Sequence, residues 1–146
     1  MNLDNNEKII VSSCLAGIKC RYDGTCKTNN YIVSLVKEGI AVPMCPEVLG
    51  GLSIPREPSE IVGNKVLTKS GKDVTNNYKK GASIVLEYCK KNNIKKAILM
   101  DKSPSCGLTC YDGTFSGKLT NSPGITAELL LENGIEVISS KELGDK

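Results

Sequence analysis

The reading of this chain turns on Ile98-Leu-Met-Asp-Lys-Ser-Pro-Ser-Cys106-Gly-Leu-Thr-Cys-Tyr-Asp-Gly-Thr-Phe-Ser-Gly117. A short apolar run ends at Met100 and is followed, after Asp101 and Lys102, by a serine, a proline, a second serine and Cys106. This pattern predicts a buried strand that delivers a thiol to its C-terminal end, the edge at which ligands lie in open α/β sheets. The same pattern occurs twice more. Ile9-Ile-Val-Ser-Ser13 leads into Cys14, and Ile40-Ala-Val-Pro-Met44 leads into Cys45. Packing alone does not account for three strand-to-cysteine junctions in one small chain.

Outward from these junctions, strands and helices alternate. Residues 8–13 read as a first strand, near-continuous in apolar character like a strand buried on both faces. Residues 14–26 form a Gly- and Cys-rich loop. Residues 29–37 carry Ile32, Leu35 and Val36 at helical spacing, with Gly39 as a stop. Residues 40–44 are a second strand, and the proline-rich segment after Cys45 reads as an irregular loop. Residues 65–68 and 73–75 flank Ser70-Gly71 as a small hairpin. Tyr78, Ala82, Val85, Leu86 and Cys89 mark one face of a long helix over 74–92. A third strand covers 97–100. Ser122 and Pro123 read as cap and first residue of a helix ending at Gly134, before a fourth strand at 135–138.

This order predicts an α/β fold: a single three-layer, Rossmann-like domain over residues 1–146, with a mainly parallel sheet, helices on both faces and a β-hairpin insertion. Residues 1–7 and 140–146 read as polar termini. A chain of 146 residues buries roughly 68–70% of its unfolded surface, enough for a core without staples.

Composition narrows the chemistry. Net charge is +3 and the basic residues are scattered, so neither a nucleic-acid polymer nor a membrane surface is called for. With one Phe and no Trp, stacking of single-stranded bases is excluded as a general mode. No signal pattern or long apolar run is present, so a cytoplasmic location is expected. Seven cysteines, an odd number, argue for metal or thiol chemistry over a disulfide framework. The absence of histidine excludes a Ser-His-Asp triad, a His-activated cysteine and any His-containing zinc site.

Cys14, Cys45 and Cys106 therefore form the candidate metal set. Their strand ends share one sheet edge, where neighbouring strands lie about 4.8 Å apart. Soft thiolates without imidazole suit zinc or an iron–sulfur cluster, and three ligands on a four-iron cluster would leave one iron open. Cys89, on a helix face, reads as a packing residue. Cys20, Cys26 and Cys110 stay unassigned. Glu47 and Ser103 stand close to the thiols in sequence and offer a carboxylate and a hydroxyl. Ser103 also reads as a cap before Pro104. Arg21 and Arg56 are candidate partners for such a carboxylate. Tyr22-Asp-Gly-Thr25 recurs as Tyr111-Asp-Gly-Thr114, which reads as two Asp-Gly turns.

Four motifs together carry a resemblance: Cys14-Leu-Ala-Gly-Ile-Lys-Cys-Arg-Tyr-Asp-Gly24, Pro43-Met-Cys-Pro-Glu-Val-Leu-Gly-Gly-Leu-Ser-Ile-Pro-Arg56, Ser103-Pro-Ser-Cys-Gly107 and Tyr111-Asp-Gly-Thr-Phe-Ser-Gly117. They resemble the thiouracil desulfidase-like family, a bacterial domain of unknown function before one member was characterised. The resemblance runs from about residue 9 to 138. It implies a [4Fe-4S] cluster on Cys14, Cys45 and Cys106, with Glu47 and Ser103 as catalytic residues. It further implies a small thiolated base as substrate and loss of sulfide through the open iron without net redox change. Two other readings compete. One is a non-catalytic thiolate metal-binding or redox-sensing module, closed by a fourth cysteine such as Cys20 or Cys110. The other is a metal-free persulfide sulfurtransferase, which needs one cysteine of low pKa near basic groups.

Overall fold

Each apolar run becomes a strand because both faces of the central sheet are covered. In the computed structural model, which describes residues 7–143, the sheet comprises β1 (Ile9–Ser12), β2 (Ala41–Met44), β5 (Lys96–Leu99) and β8 (Glu136–Ser139). The order is β2-β1-β5-β8 and every pairing is parallel. Successive side chains point to opposite faces. Ile10, Ala97, Leu99 and Val137 pack with α3 (Thr75–Lys91) and α4 (Ile125–Glu132). Ile9, Val11, Ala41 and Ile98 pack on the other side with Ile32 and Leu35 of α1 (Asn30–Lys37). The three-layer arrangement expected from the sequence is the one found.

Strand order creates the site. The chain leaves β1 to form β2 on one side and later returns to place β5 on the other. The C-terminal end of β1 is thus a topological switch point, where connections diverge and a crevice opens. β1 and β5 keep only the pairs Ile10↔Ala97 and Val11↔Ile98. Beyond them the strands part, and side chains take over the backbone donors. Met100 N donates to Ser12 Oγ at 2.8 Å, and Asp101 N to Ser140 Oγ at 2.8 Å.

Four local expectations are corrected. The hairpin pairs β3 (Ser59–Val62) with β4 (Lys65–Thr68) through Gly63-Asn64, a two-residue glycine-first connection that matches strand twist. Residues 73–75 contribute only the single bridge Leu67↔Asp73, and Ser70-Gly71 is a separate turn. The segment after Cys45 begins with one helical turn, α2 (Pro46–Leu49), started by proline at its first position. Helix α4 starts at Ile125 with Gly124 as its cap, not at Ser122-Pro123. Its free N–H groups are met by backbone carbonyls: Ile125 N donates to Pro104 O, and Thr126 N and Ala127 N to Ser105 O. Ser140–Leu143 form a 3-10 helix, so the polar C-terminal tail is shorter than expected; residues 1–6 and 144–146 of the expected termini lie outside the described residues. A further short hairpin joins β6 (Cys110–Tyr111) and β7 (Leu119–Thr120).

α2 crosses α3 with no side chain between their backbones. A Cβ on Gly81 would lie 1.8 Å from Pro46 O, and one on Gly50 would lie 2.0 Å from Asn77 O. Both obstacles are backbone atoms and cannot swing aside. Gly81→Ala is expected to destabilise the fold by about 3 kcal/mol, the upper end for overpacking, read as a lower midpoint in chemical denaturation. An unchanged midpoint would mean that the helices do not touch as described.

Candidate active site

The crevice at the switch point is a cavity of about 810 Å³, lined by Cys14, Cys20, Cys45, Cys106, Glu47 and Ser103 among others. Each strand end delivers its thiol differently. β1 runs into the 3-10 helix Ser13–Ala16, which carries Cys14. β2 ends at Cys45, the N-cap of α2, which puts Glu47 in the first turn. β5 is followed by the turn that carries Ser103 and Cys106, closed by Gly107 N donating to Ser103 O at 2.8 Å. Cys14, Cys20 and Cys106 are each only 5–6% exposed. All seven cysteines are free thiols.

The thiols act on one another. Chiefly through the neighbouring Cys14 thiol, the Cys20 thiol is pushed up to about 11. Cys45, whose thiol lies 4.0 Å from Cys20 O, is raised above its ordinary value, first by Cys20 and then by burial. Burial pushes Cys106 up to about 12. Such thiols are neutral at pH 7 and become ligands when a metal displaces the proton. Among the described residues no three Cys, Asp or Glu are gathered closely enough for one metal ion. A sulfur-only donor set without imidazole suits an iron–sulfur cluster or zinc.

Glu47 is held from both oxygens. Its Oε1 accepts from Arg56 Nε at 3.1 Å and from Tyr78 OH at 2.9 Å, and Arg56 Nη2 lies 3.1 Å away. Its Oε2 accepts from Ser103 Oγ at 3.4 Å. The side chains of Arg56 and Glu47 are 9% and 14% exposed. An ion pair this buried is weak evidence of stability, but it fixes where the carboxylate points. Burial and the Glu47 charge hold the Tyr78 phenol above its ordinary value, so it remains a donor. Ser103 Oγ accepts from Ser105 N at 3.2 Å and Cys106 N at 3.1 Å. Ser103 therefore caps its turn and faces Glu47 as well.

A family model described as 2-thiouracil desulfurase matches residues 9–142. The chain belongs to the 2-thiouracil desulfurase family. It is 49% identical over 148 residues to the uncharacterized protein YbbK of Bacillus subtilis (strain 168), covering 94% of this chain and 98% of that protein. Among solved structures it is similar to the [4Fe-4S]-dependent thiouracil desulfidase TudS. The TM-score is 0.90 at 45% identity, over 94% of this chain and 93% of that one.

In this member of the desulfurase family the fold brings all five sequence-selected residues to one cavity. The unassigned cysteines separate. Cys20 joins the other three thiols. Cys26 lies 3.4 Å from Thr28 Oγ1, away from them. Cys110 is buried and directs its thiol to Ser103 O at 3.2 Å. Cys89 packs in the core with α3, as expected. Of the two arginines, Arg56 takes the carboxylate, while Arg21 lines the cavity wall. The repeated Tyr-Asp-Gly-Thr segments are Asp-based turns, with Thr25 N on Asp23 Oδ1 and Thr114 N on Asp112 Oδ1. Both of their tyrosines line the cavity.

Two contributors were missed from sequence. Tyr78 read as a member of an apolar helix face; a phenol among small and aliphatic neighbours was the available signal. Glu60 fell within a presumed loop. It is buried, and its Oε1 accepts from Gly113 N at 3.0 Å and Phe115 N at 3.1 Å, which anchors the 111–117 loop.

Removing one donor at a time tests the carboxylate clamp. Tyr78→Phe is expected to cost about 1.5 kcal/mol, the value of a hydrogen bond to a charged group. Arg56→Met should cost about 2 kcal/mol, between exposed and fully buried pairs. Denaturant titration reads both. Losses near zero in both variants would put Glu47 in solvent.

Proposed function

We propose that this chain is a single-domain, cytoplasmic desulfidase that hydrolyses thiolated uracil, or a related thiolated base, with a [4Fe-4S] cluster on Cys14, Cys45 and Cys106. The observation that carries the reading is a carboxylate held by Arg56 and Tyr78 on the wall of the same cavity as the strand-end thiols. Family membership and the likeness to a [4Fe-4S]-dependent thiouracil desulfidase support it. The donor set fits such a cluster: sulfur alone and partly shielded from water. No helix among the described residues is long and apolar enough to cross a membrane, and a reducing cytoplasm keeps thiols free.

When bound, the cluster supplies a Lewis-acidic iron for the substrate's sulfur. The chain supplies the proton chemistry. Glu47 Oε1 is taken up by Arg56 and Tyr78, which leaves Oε2 to receive a proton from the attacking water. Ser103 Oγ, 3.4 Å from Oε2, passes a proton between the carboxylate and the ring. Overall a C–O bond forms at the ring carbon and the C–S bond breaks. The two protons of water leave with sulfide, and no electron is transferred. The Arg56 guanidinium beside Glu47 fixes where the carboxylate points.

Anaerobic reconstitution followed by iron and sulfide analysis tests the cluster. About four of each per chain is the expected content. Cys14→Ala, Cys45→Ala and Cys106→Ala should each lose it. Glu47→Gln should keep the iron and lose at least about 100-fold in turnover, the scale of a general base, followed as sulfide released from 2- and 4-thiouracil. Zinc in place of iron, or an active Glu47→Gln protein, would defeat the mechanism.

A further inference from the structure

The two Tyr-Asp-Gly-Thr segments have no part in the hydrolysis as derived, yet each brings a tyrosine to the cavity that holds Glu47 and the thiols. Tyr22 stands in the loop after β1, and Tyr111 stands in β6. The chain is poor in aromatic residues, with five Tyr, one Phe and no Trp. A third tyrosine on the cavity wall, Tyr78, has its hydroxyl on Glu47. Among the described residues, Tyr22 and Tyr111 supply the wall's other aromatic rings.

Both rings are mounted on pinned backbone. Around Tyr22, Arg21 N donates to Thr25 O at 3.1 Å, and Tyr22 O accepts from Arg56 N at 2.7 Å. Tyr111 pairs with Leu119 in the short hairpin, and Asp112 N donates to Lys118 O at 2.9 Å. Glu60 Oε1 then takes Gly113 N and Phe115 N. A Cβ on Gly113 would lie 2.6 Å from Ile61 O, so this loop rests directly on β3. Phe115 is held at φ +56°, a left-handed conformation that a bulky residue keeps only where its surroundings fix it. Successive side chains on a strand point opposite ways: Cys110 turns its thiol to Ser103 O, and Tyr111 faces the cavity. Arg56 and Glu60, which fasten the two turns, are separated by a stretch of chain at most about 14 Å long at full extension. The two rings therefore address one part of the cavity.

We propose that Tyr22 and Tyr111 are specificity-determining residues whose ring faces take the flat pyrimidine of the substrate, with Glu60 the positioning residue that aims Tyr111. This rests on the thiolated-base reading above and goes beyond it by naming what holds the ring, as distinct from the sulfur. A polymer of bases needs a row of aromatic platforms; a single base needs one or two. Stacking on such platforms tolerates different ring substituents because every base has a π-face. That face is shared by the thiolated substrate and the oxygenated product, so the contact binds both alike. Binding that does not change along the reaction sets KM and leaves kcat alone.

The test measures kcat and KM for 4-thiouracil on the anaerobically reconstituted protein, beside equilibrium dialysis of uracil, which has no sulfur to offer the iron. Tyr22→Leu and Tyr111→Leu should each raise KM and the uracil Kd about tenfold, the low end for loss of a stacked base, with kcat and iron content unchanged. Tyr22→Phe and Tyr111→Phe keep the ring face and should match the wild type. Glu60→Leu releases the 111–117 loop and should raise KM as Tyr111→Leu does, whereas Glu60→Gln retains an acceptor oxygen and should restore it. Unchanged KM and uracil Kd in both Leu variants overturn the proposal. So does a loss in the Phe variants equal to that in the Leu variants, which would assign the effect to the hydroxyls. Should Tyr111→Leu take up no iron, Tyr22→Leu decides, since that side chain is 39% exposed and outside the core. A loaded wild type that turns over neither 2- nor 4-thiouracil defeats the proposed function. An active wild type indifferent to loss of both rings defeats this inference alone.

Discussion

β1 has a parallel partner on each side: its own connection runs to β2, and the chain later crosses to place β5 on the other side. Everything at the site depends on that constraint. A parallel strand ends on the same edge as its neighbours, so residues far apart in sequence, just after β1, β2 and β5, must gather there. The divergence of the connections keeps that edge open. Ser12 and Ser140 then bond the backbone where the ladder between β1 and β5 stops. The opening is thus a finished surface with its hydrogen bonds satisfied.

A second constraint positions the carboxylate. Gly50 and Gly81 let the backbones of α2 and α3 meet directly. α2 is one turn long and could not hold an orientation by itself. Pressed on α3, it places Glu47 against Tyr78, a residue 31 positions away. Arg56 then reaches from the following loop to the same oxygen. The turn after β5 is fixed in a comparable way, by α4: Gly124, Ile125, Thr126 and Ala127 all donate to carbonyls of residues 104–107. Ser103 and Glu47 meet because two separate helix contacts converge, which is why the pair is precise without being near in sequence.

This explains what the sequence revealed and what it hid. Strands β1, β2, β5 and β8 and helices α1 and α3 were legible because burial imposes a period on them. Cys14, Cys45 and Cys106 were legible because each stands in the turn or loop that follows such a strand. The hairpin was misplaced because Gly63-Asn64 and Ser70-Gly71 are both genuine turns, and only pairing says which one joins strands. The start of α4 was misread because its cap is a set of carbonyls from another loop, a tertiary contact that no local rule contains. Even spacing of Cys14, Cys20 and Cys26 said nothing of which thiol turns inward. Arg56 and Arg21 were equal candidates until the loop after α2 brought one to Glu47.

The same cysteines that suit a cluster also suit a core. Cys14 and Cys20 belong to the apolar cluster on the α1 side of the sheet, and Cys106 to the one beneath α3 and α4. A neutral thiol packs as a small hydrophobe. The fold therefore rests on contacts among Ile, Leu and Val side chains on both faces of the sheet. The raised Cys106 thiol follows from the same burial. A cluster held there would have to expel the protons of thiols that burial raises.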